Sequence, residues 1–258
     1  MARVWVTGAS SGIGRALALE YAKRGHDLVI SARNLAQLEE VKQACGDAVT
    51  VEIVHIDLTD SASIEAAAAQ VLSSGYVDVL VNNGGISQRS KAEETPLELD
   101  RRIMEINYFG HVQVTKAILP SMLERGSGTI AVTSSLTGKW GFYLRSAYAA
   151  SKHALHGFYD SLRMEVEGRG IQITLITPGF IRTDISKHAV DAQGKPTGEM
   201  DENQAQGMPV ETCARIMVDG IAAGKREFGV GGRELIGLKL VRFAPNWFAK
   251  LLKKQSAR

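Results

Sequence analysis

A chain of 258 residues that is 45% hydrophobic and 22% charged has the composition of a soluble globular protein. Its net charge of +2 is unevenly placed: Lys239, Arg242, Lys250, Lys253, Lys254 and Arg258 crowd the C-terminal end without an acid among them, leaving 24 basic against 28 acidic residues elsewhere. That distribution argues against a broad nucleic-acid-binding face. Cys45 and Cys213 have no partners at metal-ligand spacing, and the six histidines form no H-E-x-x-H-like group, so neither a disulfide scaffold nor a metal site is expected. They read as buried thiols of a reducing, cytoplasmic compartment. The first residues already read as a strand and a glycine turn, so no secretory signal is expected, and no apolar run approaches the ~20 residues of a membrane span.

In chain order, short β-branched runs alternate with longer helical patterns. A strand over 4–6 precedes a helix over 12–24, with Ile13, Leu17 and Tyr21 on one stripe. Strands over 28–30, 49–56, 77–81, 129–133 and 171–176 are separated by helices over 35–44, 62–72, 97–123 and 147–167. The strands are apolar throughout rather than alternating, which is the mark of a parallel sheet covered on both faces. The expectation is one α/β domain over 1–258: a doubly wound, mostly parallel sheet with helices on both faces, in the dinucleotide-binding Rossmann manner. Residues 184–209 are polar and carry Gly194, Gly198 and Gly207. A long irregular segment at a strand's C-terminal end suggests a lid over the substrate, with a floppy insertion as the alternative. A helix over 210–223, a strand near Phe228 and a basic amphipathic tail over 234–258 complete the chain.

Thr7-Gly8-Ala9-Ser10-Ser11-Gly12-Ile13-Gly14 joins the first strand to the first helix. Glycines there permit a tight turn and let backbone N–H groups approach a pyrophosphate at the helix N-terminus. The G-x-x-x-G-x-G spacing departs from the general G-x-G-x-x-G fingerprint. Arg33 ends the second strand, where a carboxylate would suit ribose hydroxyls and a guanidinium suits a 2′-phosphate, which points to NADP(H). Asp57 could accept from an adenine amino group, or begin a turn whose N-cap is Asp60. Asn82-Asn83-Gly84-Gly85 ends the fourth strand, beside the expected adenosine end or simply as a turn. Tyr148 and Lys152, one helical turn apart, form a pair in which an ammonium could favour a phenolate, although taken alone they read better as an amphipathic helix residue and a solvated one.

In their order, the glycine turn, Asn82-Asn83-Gly84-Gly85, Asn107, Ser135 with Tyr148 and Lys152, and Pro178-Gly179 resemble the compact short-chain dehydrogenases/reductases over about residues 3–184. The run from Asn82 to Ser90 resembles the branch of dehydrogenase/reductase member 7. The resemblance implies a catalytic tetrad of Asn107, Ser135, Tyr148 and Lys152; Ser135, thirteen residues before Tyr148, is a better match than Ser134, and alternating strand geometry should let only one of the two face the pocket. It implies cofactor contacts from Gly8, Ser10, Ser11, Gly12, Ile13, Gly14, Arg33, Asp57, Asn83, Tyr148, Lys152, Pro178, Gly179 and Thr183. It implies a small-molecule carbonyl or alcohol substrate and a homodimer or homotetramer. Gly84 stands where the family usually carries alanine. Ser87, Thr137, Phe142, Tyr143 and Phe180 are candidate pocket walls. A non-catalytic NADP(H) sensor or scaffold and a 3-oxoacyl-carrier reductase remain alternatives. The tail sets Leu240, Phe243, Trp247, Phe248 and Leu251 among basic residues, with Pro245 as a break. It fits packing on the domain or a partner subunit, or peripheral contact with a membrane surface.

Overall fold

The structure, a computed structural model, describes residues 1–256, with side chains through Lys253. The side chain of Lys254, and Arg258, both counted in the basic tail, lie outside the described residues. The strands form on the apolar runs: β1 (Arg3–Thr7), β2 (Asp27–Ala32), β3 (Val51–His55), β4 (Val79–Asn82), β5 (Gly128–Thr133) and β6 (Ile171–Pro178). Between them run α1 (Gly12–Lys23), α2 (Leu35–Cys45), α3 (Ser61–Ser73), α4 (Leu97–Met104), α5 (Gly110–Arg125) and α6 (Ser146–Glu165). Then follow β7 (Ile181–Arg182), α7 (Glu202–Ala205), β8 (Met208–Pro209), α8 (Val210–Ala222), β9 (Glu227–Val230), α9 (Ile236–Phe243) and α10 (Pro245–Ser256).

Seven strands make one sheet in the order β3-β2-β1-β4-β5-β6-β9, and every neighbouring pair is parallel. Each strand re-enters through a helical crossover, so the sheet is parallel throughout rather than mostly so. The pleat divides each strand between two cores. Val4 and Val6 join Leu17 of α1, Leu38 of α2 and Met217 of α8 on one face. Trp5 between them joins Ile64 of α3, Ile118 of α5 and Leu155 of α6 on the other. Burying one such Leu or Ile contributes about 1.5–3 kcal/mol, which is why continuous apolar runs rather than alternating ones build this sheet.

The helix expected over 97–123 is continuous but not regular. Glu105–Phe109 winds as a π-turn between α4 and α5, a local widening that proteins use to re-aim a side chain at a working site. The widened turn contains Asn107. Helix α5 ends at Gly126, whose left-handed φ of 65° lets the chain reverse into β5.

Candidate active site

Successive crossovers change direction between β1 and β4, the point at which open parallel sheets receive ligands beyond their strands' C-terminal ends. A cavity of about 1110 Å³ lies there, bounded by the glycine turn, the ends of β2, β4 and β5, the start of α6, the lid and the C-terminal helices. It brings together most of the residues singled out from the sequence.

One half has the character of a phosphate cradle. Gly8, Ser10, Ser11, Gly12 and Ile13 line it. Asn34 and Asp60 cap α2 and α3 with their own side chains, but Ser11 makes no such bond at α1. The leading N–H groups of α1 therefore keep their capacity to bind an anion. Gly14 does not reach the wall as expected; a Cβ there would lie 2.1 Å from the Gly8 carbonyl oxygen, so it serves as the close-packing glycine beneath the turn. Asn83 braces the same turn: its backbone N–H donates to Thr7 Oγ1 (3.0 Å) and its side-chain amide to the Thr7 carbonyl (3.3 Å). A Cβ on Gly84 would meet Leu58 Cδ1 at 2.7 Å, so the glycine leaves room for this leucine where alanine is usual.

Arg33, the first residue past β2, lines the cavity and is exposed. Among the described residues it enters no ion pair. Asp60 caps α3, as the turn reading expects, and Asp57 at the start of that turn lines the cavity. Desolvation raises the Asp57 carboxyl, but hydrogen bonds from the Thr59 N–H and hydroxyl, with Arg33 and His55 nearby, outweigh it and hold it below the ordinary range. Pro178, Gly179 and Thr183 complete this side. A glycine cradle, an uncapped helix N-terminus and an unpaired guanidinium fit a phosphorylated dinucleotide.

The other half is built on α6. Tyr148 and Lys152 are buried yet line the cavity, with Lys152 Nζ 5.8 Å from the Tyr148 ring centroid and donating to the Thr133 carbonyl (3.0 Å). Ser135 hydrogen-bonds the Tyr148 phenol and accepts from the Thr137 N–H (3.2 Å). Ser134 instead turns inward to His156 Nε2 (2.9 Å) and the Lys152 carbonyl. Ser134 lines the cavity beside Ser135, contrary to the expectation that only one would, but its hydroxyl is taken up by these inner partners. Asn107 lies behind the wall rather than on it. Its amide accepts from the Ile86 N–H (2.9 Å) and donates to the Ile86 carbonyl (2.9 Å) and Ser151 Oγ (3.1 Å).

The electrostatics differ from the sequence expectation. Burial raises the Tyr148 phenol above its ordinary value; Arg145 and the Ser135 hydrogen bond work against this without overturning it. Burial also brings Lys152 down to about 8. Burial thus favours the neutral phenol, the form that can donate a proton, while Arg145 nearby favours the phenolate. Of the expected pocket walls, Ser87, Thr137, Phe142 and Phe180 line the cavity, but Tyr143 is half exposed on a separate depression beside Lys91.

Several functional neighbours carried no legible spacing signal. Gln88, fully buried, accepts through Oε1 from the Ala147 N–H (2.9 Å) and Tyr148 N–H (3.2 Å), capping α6 from 60 residues away. Arg145 and Arg89 share Asp201 of the lid at 3.6 and 2.5 Å. Glu234 accepts from the Phe180 N–H (3.0 Å), tying the start of the lid to the approach to α9. Only the composition of loop 86–90 and the polar lid hinted at these partners.

Comparison with known proteins agrees with this geometry. The family profile described as short chain dehydrogenase matches residues 2–194. The chain belongs to the short-chain dehydrogenase/reductase family. Dehydrogenase/reductase SDR family member 7B of Mus musculus is 45% identical over 230 residues, which is 87% of this chain and 71% of that protein, placing the chain in the member 7-like branch. A short-chain dehydrogenase from Streptomyces avermitilis superposes with a TM-score of 0.83 at 31% identity, covering 100% of this chain and 99% of the other. A short-chain dehydrogenase from Sphingobium yanoikuyae in complex with NADPH gives 0.79 at 25% identity, covering 100% and 95%. Membership of this family makes the chain an oxidoreductase with a nicotinamide cofactor and a small-molecule substrate.

Proposed function

We propose that this short-chain dehydrogenase/reductase, acting as one catalytic domain over 1–258, is NADP(H)-dependent and interconverts a carbonyl compound and its alcohol. The observation that carries the reading is one cavity joining the uncapped N-terminus of α1 and Arg33, which enters no ion pair among the described residues, to a buried Tyr148 hydrogen-bonded to Ser135. When bound, the cofactor supplies or accepts hydride. Gly8, Ser10, Ser11, Gly12, Ile13, Asn83, Pro178, Gly179 and Thr183 hold it, with Asp57 at the adenine end and Arg33 at the 2′-phosphate. In reduction Tyr148 donates its phenolic proton to the substrate oxygen, and Ser135 hydrogen-bonds that oxygen as negative charge develops. The Lys152 ammonium stabilises the tyrosinate left behind, and Asn107 holds the Ile86 loop and the Ser151 turn of α6 around it. In oxidation the same groups run in reverse.

The test is Tyr148→Phe, assayed with NADPH and NADH. Reduction should fall by about 10²–10⁴-fold with cofactor binding retained, and NADPH should be the better donor. Near-original activity in the variant would refute the assignment.

We further infer peripheral contact with an anionic bilayer through α9 and α10, and a homodimer or homotetramer through the long helices. No helix of the described residues is long and apolar enough to cross a membrane. The inner face of α9–α10 lines the cavity through Leu240 and Phe248, while Phe243 (79% exposed) and Trp247 (55%) point outward among exposed Lys239, Arg242 and Lys250. Aromatic residues beside lysines suit a headgroup region. The same basic patch beside the cavity favours, as a second reading, an acidic carrier protein presenting a 3-oxoacyl chain. Co-sedimentation with phosphatidylglycerol vesicles, lost in Phe243→Ser/Trp247→Ser, supports the membrane. A kcat/KM for carrier-bound 3-oxoacyl thioester far above that for free ketones supports the carrier.

A further inference from the structure

The order of the strands decides which end of the crevice receives which half of a dinucleotide. Arg33 and Asp57 follow β2 and β3 toward one edge of the sheet, while Ser135 follows β5 and Pro178 ends its neighbour β6. A cofactor whose adenine lies at Arg33 and Asp57 therefore brings its nicotinamide to the ends of β5 and β6, beside Tyr148. The turn Pro178-Gly179-Phe180 forms that part of the wall.

The sheet does not hold this turn unaided. The Gly179 N–H donates to the Val230 carbonyl (2.8 Å) at the end of the β6–β9 ladder. Phe180 is then held from two sides by partners outside the seven-stranded sheet. Its carbonyl accepts from the Met208 N–H (2.9 Å) at the close of the lid, and its N–H donates to Glu234 Oε1 (3.0 Å). The same Glu234 oxygen accepts from the Gly232 N–H (3.0 Å), so one carboxylate bridges the turn and the loop leading into α9. Both loops are shaped to receive it: a Cβ at Gly179 or at Gly231 would collide with Glu234 Oε1. Among the described residues Glu234 enters no ion pair, so its charge is spent on backbone N–H groups, and such charge-assisted bonds are the stronger kind. Behind it the C-terminal helices are seated on the cavity, where Trp140 meets Phe248 of α10 edge-on with ring centroids 5.0 Å apart. Glu234 stands on a braced support.

We propose that Glu234 is a positioning residue for hydride transfer: its carboxylate braces the Pro178-Gly179-Phe180 turn against the C-terminal segment and so fixes the nicotinamide half of the cofactor beside Tyr148. The inference rests on the NADP(H)-dependent reading of the site. The adenosine half, held across the crevice at Arg33 and Asp57, does not depend on this brace. Once the turn is loosened the cofactor must order it on binding, a cost that falls on the nicotinamide half alone.

The experiment measures the Kd of NADPH and of 2′,5′-ADP, which carries the adenosine and the 2′-phosphate but no nicotinamide. Glu234→Ala should weaken NADPH by about tenfold or more and leave 2′,5′-ADP within about twofold of wild type, which also reports that the variant is folded. Gly231→Ala, at a residue outside the cavity wall, displaces the carboxylate without removing a hydrogen-bonding group and should show the same split. The double variant should bind NADPH no worse than Glu234→Ala alone, because both changes break the same contact. Glu234→Gln, which keeps the accepting oxygen, should recover part of the affinity, and kcat at saturating NADPH should rank the variants in the same order. Equal weakening of both ligands, unchanged NADPH affinity, or losses that add in the double variant would each overturn the brace. A wild-type protein that binds neither ligand would instead overturn the NADP(H) reading beneath it, and the brace with it.

Discussion

The placement of Tyr148 depends on a residue that has no chemistry of its own. Gln88 supplies the hydrogen bonds that the first turn of α6 lacks, since Arg145 at the N-cap provides no side-chain bond. Its amide nitrogen is spent on Ser90 Oγ (3.1 Å) and Thr95 Oγ1 (3.3 Å), so the carbonyl is locked toward the helix. Gln88→Leu should cost about 1–2 kcal/mol in urea unfolding, as loss of a cap does, and about tenfold in kcat through misplacement of the phenol. Affinity for NADPH, measured by fluorescence, should stay near wild type, and Gln88→Glu, which keeps the accepting oxygen, should recover part of kcat. A Leu variant with unchanged kcat would make Gln88 merely structural. The pair Tyr148 and Lys152 was legible only once the other motifs stood beside it in order, and Ser135 only through its place thirteen residues before Tyr148 in the family pattern. Gln88 was not, because a cap delivered across 60 residues leaves no local pattern. Nor was the direction of the Tyr148 shift, which burial decides.

At the scale of elements, the strands and helices were legible because each carries its own period, apolar runs for the sheet and one-sided stripes for the helices. The lid was legible only as a lack of pattern. In the structure it is short pieces held from outside: β7 pairs with β8, Val190 bridges to Gln88, and Asp201 caps α7 while binding Arg89 and Arg145. One carboxylate thus serves the helix start and both guanidinium groups. Asp201→Ala removes the cap and leaves two buried-side cations facing each other, so the lid should open without the sheet unfolding. Limited trypsin digestion at the exposed Lys187–His188 bond should speed up by about tenfold or more. KM for the carbonyl substrate should rise more than kcat falls. Cleavage at the wild-type rate would show that Asp201 does not hold the lid.

For the whole molecule, the crevice floor contains two histidines that the sequence left unremarkable. The buried His111 imidazole contacts the Gly84 carbonyl at 2.5 Å, and His156 contacts Ser134 at 2.9 Å, so one supports the end of β4 and the other the end of β5. Desolvation, with Lys152 nearby, lowers His111 to about 3; desolvation, with Lys139 adding to it, lowers His156 to about 4 despite Glu227 and Asp160. An unfolded chain protonates both near ~6.5. Below that pH the unfolded state takes up protons that the folded state refuses, so stability present at pH 7 is lost on acidification. The loss should be about 1.4 kcal/mol per pH unit for each histidine, ending near 4 for His156 and near 3 for His111. Over two pH units the pair removes roughly 5 kcal/mol, a large part of a typical domain's stability. Carboxylates held low, such as Asp57 and Asp78, add their share only further down the scale. Urea unfolding at pH 7, 5.5 and 4.5 should therefore give a slope that falls by about 1.4 kcal/mol per unit in His156→Gln. If His156→Gln and wild type lose stability in parallel, His156 is not held neutral and the floor of the crevice is not what acid attacks first.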